Sequence, residues 1–423
     1  MTSVSSLLTD PEKSRVFSGP NLLQIAMPLG GIGAGCICLN GYGGLQDFAI
    51  RHTPAITANA DGHGFTDSAF ALLHIRGAQP QTRLVEGPMP PEKLYDQGLQ
   101  GQGYRKGGHE GMPRFADCTF EGQYPFGTAH LSDSELPLAV TLTGWNPFIP
   151  RDDVNSGIPC VILDYTLTNT SDEPVDFDFS YHLSHLAVGA KTGERGTRNQ
   201  VIAGKGVFFS STEEPDQPSS GSAALVLLAP DPAIKAMWFR GGWFDSLSAL
   251  WREVSTGQFR PNDGTTSENS LGGRNGGSVL VRGTLSPGES VSYPVIISWY
   301  YPNCAQSVGV ASPDISRSWH PFYTTQWADA RAVALYVAEN VASLRQRTLA
   351  FKNALFSSTL PPEVLDAVSA NLGILKSPTV LRQANGNLWG WEGCFPGSGC
   401  CHGTCTQVQE KFADMAHTHL SAP

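Results

Sequence analysis

Charge is scarce in this chain. Only 16% of its 423 residues are Asp, Glu, Lys or Arg, and 38 acidic against 28 basic side chains give a formal net charge of −10. No block of basic residues is present, so a phosphate backbone would meet no clustered counter-charge, and the chain is a poor nucleic-acid binder. No apolar run reaches the roughly 20 residues that a membrane-spanning helix needs, so no membrane span is expected. The opening stretch, Met1 to Phe17, has neither a basic n-region nor a long apolar h-region, and no secretory signal is read. The nine cysteines are an odd number with irregular spacing except near the end. That usage predicts reduced thiols in a cytoplasm rather than a secreted disulfide framework. No G-x-S-x-G or H-E-x-x-H motif occurs, which leaves serine-hydrolase and zincin chemistry without support.

What the chain has in quantity is turn chemistry. It contains 46 Gly and 30 Pro, and 40% of its residues are hydrophobic. Punctuation this dense, in a chain long enough to bury a sizeable core, predicts many short strands and long loops. The segments Gly87–Gly111 and Ser211–Ser222 read as surface loops. From Val161 to Thr168, Val161, Leu163, Tyr165 and Leu167 share one face, with Asp164, Thr166 and Thr168 on the other. After the turn Asn169–Pro174, Val175, Phe177, Phe179 and Tyr181 alternate with Asp176, Asp178, Ser180 and His182. Period two on both sides of a turn predicts a hairpin with one buried face. The pattern recurs in Ser278–Leu285 and Val291–Trp299 around Ser286–Glu289. A mainly β fold with a large N-terminal β-sandwich follows.

The period changes near Gln326. Val337, Val341, Leu344, Phe351 and Leu355 form a helical stripe, and Pro361-Pro362-Glu363 opens a second helix with Val364, Leu365, Val368 and Leu372 on one face. The boundary between β and α lies near residues 305–325. Two helices with one apolar stripe each do not make a domain, so these stripes face water unless the sandwich covers them. Association of the chain is expected where they stay exposed.

Two stretches carry candidate chemistry. The glycines of Pro28–Gly35 (PLGGIGAG) miss the dinucleotide fingerprint, because Cys36 stands where the third glycine belongs and strand-like residues follow. Close backbone approach is the better reading. The stretch Trp391–Cys405 (WEGCFPGSGCCHGTC) offers Cys394, Cys400, Cys401, His402 and Cys405 as zinc ligands, but the spacing departs from paired Cys-x₂-Cys sites, and no metal is expected. Glu392 beside Trp391 is either a carboxyl with a raised pKa or an ordinary hydrogen-bond acceptor. His182, His185 and His320 read as structural histidines.

Several blocks resemble one family. Met27–Gly35, Trp145–Pro159 (WNPFIPRDDVNSGIP), the Asn169–Pro174 turn, Pro302-Asn303 after Ser298-Trp299, and Glu392-Gly393 with Cys401–Thr406 are similar, in this order, to glycoside hydrolase family 116. That family includes bacterial β-glucosidases and non-lysosomal glucosylceramidases. The resemblance implies a sandwich over residues 1–320 followed, over 321–423, by the first helices of an incomplete (α/α)₆ barrel. It implies a retaining glycosidase acting on a β-glucoside or glycolipid through two carboxyl groups about 5–5.5 Å apart, with no cofactor. It places Trp391, Glu392, His402 and Thr404 in a loop near the substrate pocket. After Thr406 the sequence leaves the family pattern, and both catalytic carboxylates are expected downstream of residue 423, so no catalytic residue is assigned and the chain alone is expected to be inactive. The competing reading is a non-catalytic carbohydrate- or partner-binding sandwich with Trp145, Trp243 and Trp251 as an aromatic platform.

Overall fold

The computed structural model describes residues 15–55, 67–91, 109, 111–240, 245–265, 274–305, 319–395, 397–401 and 403–404. Six strands open the chain: β1 (Val16–Ser18), β2 (Ala26–Leu29), β3 (Cys36–Asn40), β4 (Leu45–Ala49), β5 (Ala69–Ile75) and β6 (Gln81–Leu84). β7 (Asp117–Gln123), β8 (Phe126–Ser132) and β9 (Leu138–Trp145) run as a meander into a one-turn helix, α1 (Asp153–Ser156). β10 (Cys160–Asn169), β11 (Val175–Ser184), β12 (Thr197–Ile202), β13 (Gly206–Ser211), β14 (Ser222–Leu227) and β15 (Ala233–Lys235) follow. Helix α2 (Ser246–Ser255) precedes β16 (Gly276–Leu285) and β17 (Ser290–Tyr300). Beyond these come helices α3 (Ala330–Phe356) and α4 (Pro362–Leu372), then the small ladders β18 (Val380–Arg382) with β19 (Leu388–Gly390) and β20 (Cys394–Phe395) with β21 (Ser398–Gly399).

The protein is mostly β. A nine-stranded sheet in the order β1-β7-β8-β9-β10-β17-β14-β13-β12 faces a five-stranded sheet in the order β15-β16-β11-β5-β6, with β2-β3-β4 as a third, smaller sheet. The main core lies between the two large sheets. Tyr165 of β10 meets Phe179 of β11 at 5.1 Å between ring centroids, and Phe179 stacks on Tyr293 of β17 at 5.8 Å. Each large side chain removed from water here stabilises the sandwich by roughly 1.5–3 kcal/mol.

The alternation read in the sequence is present, but its two hairpins are not. β10 pairs with β9 and β17, whereas β11 pairs with β16 and β5 in the opposite sheet. Both turns therefore cross the sandwich, so β10 and β11, like β16 and β17, face one another through the core. The two crossings hold each other. Asn169 accepts a backbone hydrogen bond from Gly288 at 3.1 Å, donates its own N–H to the Glu289 carbonyl at 3.0 Å, and reaches the Leu285 carbonyl with its side-chain amide at 3.0 Å. Period two states which face is buried. It does not state whether the neighbour lies beside the strand or across from it.

Helix α3 runs for 27 residues through the stripe read from the sequence, and the sandwich covers it. Asp329 caps its start by accepting from the Ala332 N–H at 2.8 Å. Ala330, Val333, Ala334, Val337 and Leu344 pack on the outer face of the nine-stranded sheet, against Trp145, Ile162, Val226 and Ile296. Helix α4 differs: Leu365 is buried, but Val364 and Val368 are exposed. No described helix is long and apolar enough to cross a membrane.

Candidate functional site

The motif blocks of the sandwich converge on the segment that follows α3. In the glycine-rich stretch Gly33 adopts φ 66°, and a Cβ there would lie 2.6 Å from Arg382. Only glycine lets β18 approach closely enough for the Arg382 N–H to reach the Gly33 carbonyl at 3.1 Å. The Trp299 indole donates to the Ala34 carbonyl at 2.8 Å. From the second block, Asp153 accepts from the Arg382 guanidinium at 2.6 Å, and that guanidinium lies 3.5 Å from the centroid of the Phe322 ring. β3, not a helix, follows the glycines, and backbone packing accounts for them.

The cysteine-rich loop is mounted on this seam. Trp391 is buried with Cys304, Leu381 and Trp389, and the two indoles meet edge-on at 4.4 Å. Gly403 closes over Trp389 with φ 86°, and a Cβ there would lie 2.3 Å from that ring. Thr404 takes φ 53°, a region few non-glycine residues adopt, and donates its N–H to the Gly390 carbonyl at 2.6 Å. Two polar atoms at this corner, Trp389 Nε1 and Thr404 Oγ1, are buried without a hydrogen-bond partner among the described residues. Such groups call for a bound water or a ligand.

Of the residues read from the sequence, then, Trp391 and Thr404 sit at one corner. Glu392 lies beside them with its side chain in solvent. His402 lies outside the described residues, as does Cys405.

β3, β4 and the turn after it lie against the cysteine-rich loop. Gly397 donates to the Pro54 carbonyl at 2.9 Å, which sets the β20–β21 hairpin on that turn. The Cys36 thiol beside it, and then burial, hold the Cys38 thiol well above its usual range. Burial also raises Cys394, helped by Cys36, Cys400 and Asp47. Thiols of this kind stay protonated at neutral pH and are weak nucleophiles. Among the described residues no group of three or more His, Cys, Asp or Glu is placed to hold a metal ion. His52, with φ 63°, bonds through Nε2 to the Tyr301 carbonyl at 2.9 Å and lies parallel to Tyr323, and burial lowers its pKa to about 4.

His182, His185 and His320 occupy structural positions. His182 sits between the Ser180 and Ser278 hydroxyls, His185 on the Arg198 carbonyl and His320 on the Pro302 carbonyl. Trp145 drops out of the expected aromatic platform. Trp145 is fully buried under α3 and donates to Asp164 at 2.9 Å. Trp251 packs half-buried against the cluster beneath α2, and Trp243 lies outside the described residues. Sequence reasoning missed Trp389, Lys376 and Arg382. An isolated arginine or lysine after a helix carries no local signal, because its partners are more than 200 positions away.

A family described as "beta-glucosidase 2, glycosyl-hydrolase family 116 N-term" matches residues 26–344. The chain belongs to this family. The match to family 116 spans the sandwich and runs into α3. No curated protein sequence matches the chain. Among solved structures, it is similar to a putative kojibiose phosphorylase from human microbiome, with 10% identity, TM-score 0.39, and 86% of this chain covering 41% of that one. It is also similar to a bacterial glucoamylase complexed with acarbose, with 8% identity, TM-score 0.37, and 86% of this chain covering 44% of that one. The chain thus spans less than half the length of these two proteins.

Proposed function

We propose that this family 116 chain is the sandwich-bearing part of a retaining glycosidase that hydrolyses β-glucosides or glycolipids. The observation that carries the reading is the family match over residues 26–344, the stretch whose blocks build the seam. In this reading residues 1–320 are a scaffold, and residues 321–423 begin the helical catalytic domain. The exposed Val364 and Val368 on α4 support it, since further helices would cover them. Trp391, Glu392, His402 and Thr404 belong to a loop at the pocket mouth. The attacking glutamate and the acid–base aspartate come from helices beyond residue 423, at the separation of about 5–5.5 Å that double displacement requires.

An aryl β-glucoside and a 2-fluoro glucoside test this. The 423-residue chain should neither turn over the first nor be labelled by the second. A protein in which it is continued by a helical domain should release glucose with retained anomeric configuration and be labelled on a glutamate. Turnover by the chain alone would refute the placement of the carboxylates. Inversion by the longer protein would refute the mechanism.

A further inference from the structure

Lys376 ends the 3₁₀ turn Gly373–Lys376 that follows α4, and it is 1% exposed. Its ammonium donates to Asn146 Oδ1 at 2.7 Å, the Pro147 carbonyl at 3.0 Å and the Asn146 carbonyl at 3.1 Å. The ring centroids of Phe148 and Tyr124 lie 5.4 and 5.8 Å away, within the reach of a cation–π contact. Three N–H donors thus meet three neutral oxygens, and two aromatic faces close the rest of the shell. Among the described residues none of the hydrogen-bond partners is a carboxylate.

Every wall of this cage belongs to the sandwich, and each is anchored without the lysine. The Asn146 side-chain amide donates to the Cys160 carbonyl at 2.8 Å and the Ile158 carbonyl at 3.1 Å, which leaves Oδ1 aimed into the cage. Tyr124 and Phe148 pack edge-on at 5.0 Å, and the Phe148 N–H donates to Thr348. The chemistry is selective. Bare Na⁺ or Ca²⁺ wants a fuller shell of oxygens than three. A primary ammonium has as many donors as the cage has acceptors, and its charge suits the two ring faces.

We propose that the sandwich carries a primary-ammonium binding site, formed by Asn146, Pro147, Tyr124 and Phe148, and that Lys376 fills it in cis as a latch holding the segment after α4 against the sandwich. The site stands apart from the glycosidase reading and from the cysteine loop. Leu375 beside the latch packs with Ile32, Tyr124 and Phe148, and its carbonyl accepts from the Gly33 N–H at 3.4 Å, so the latch closes where the glycine-rich block meets the segment.

The test is chemical rescue on the full chain. Lys376→Ala removes a stem and head equivalent to n-propylammonium. That ion should raise the variant's melting temperature by about 2–4 °C over tetramethylammonium at equal ionic strength, while leaving the native protein unchanged. Equal effects of the two ions would overturn the site. Should the variant not fold, reductive methylation of the native protein decides: Lys376 should be its slowest-modified lysine, and modification at the rate of exposed lysines would overturn the latch.

Discussion

Arg382 donates through Nη2 to Oδ2 of Asp153 at 2.6 Å, joining a strand after α4 to the one-turn helix of the sandwich. The arginine is buried and the aspartate half-exposed, so the contact is neither a surface pair of little worth nor an ion pair sealed in a core. The same guanidinium lies over Phe322 and donates to the Gly386 carbonyl. A planar, multiply donating cation at such a place is not replaceable by lysine.

Arg382→Lys and Arg382→Ala should both destabilise the chain, the alanine variant by about 2–4 kcal/mol, from lost charge-assisted bonds, ring contact and packing. Urea denaturation of the three proteins checks this. Lysine performing as well as arginine would show that charge alone matters at the position.

His52 sets an expectation for pH. Its folded-state pKa is lowered by burial from 6.5 to about 4, so between these values the unfolded chain binds more protons than the folded one. The stability this histidine allows is full above about pH 6.5 and falls as pH drops toward 4. His182 and His185, lowered by burial to about 3 and about 4, add slopes of the same sign. His52→Asn keeps a residue type that tolerates φ 63° and removes one titration. Its stability–pH profile should be flatter than that of the native chain between pH 6.5 and 4, and an unchanged slope would contradict the assignment.

The exposed side of α4 governs association. Val364 and Val368 stand one turn apart at 41% and 38% exposure, and Leu360, just before the helix, is 46% exposed. Val364→Glu with Val368→Lys should lower self-association in sedimentation velocity and alter stability by less than about 0.5 kcal/mol. A native chain that is already monodisperse would show that this stripe is not an adhesive surface.

Part of the candidate corner was legible in the sequence. Trp391 and Thr404 stand in a motif dense with glycine and cysteine, and density of that kind marks a tightly packed loop. The glycines of the PLGGIGAG stretch were legible as packing glycines, since neither the fingerprint spacing nor a following helix is there. Trp145 shows the limit. A tryptophan in a strand-end motif reads equally as a platform or as core, and the arrival of α3 over its face decides for core. The cage around Lys376 was illegible, because a buried ammonium is recognised by its acceptors, and those acceptors come from residues some 230 positions earlier.

By itself the sequence determined four of the strands, at 161–168, 175–182, 278–285 and 291–299, which face of each is buried, and where period two gives way to the period of a helix. These are local properties: side chains alternate at every residue of a strand and recur every three to four residues in a helix, whatever lies nearby. Only the tertiary structure decided that β10 and β11 part into different sheets, that α3 is covered while α4 keeps a bare stripe, and that the motif blocks meet at Arg382 and Lys376. Strand partners, helix docking and buried-charge cages depend on backbone groups and side chains brought together from distant positions. Their free energies depend on distance in space, which the local pattern of residues does not record.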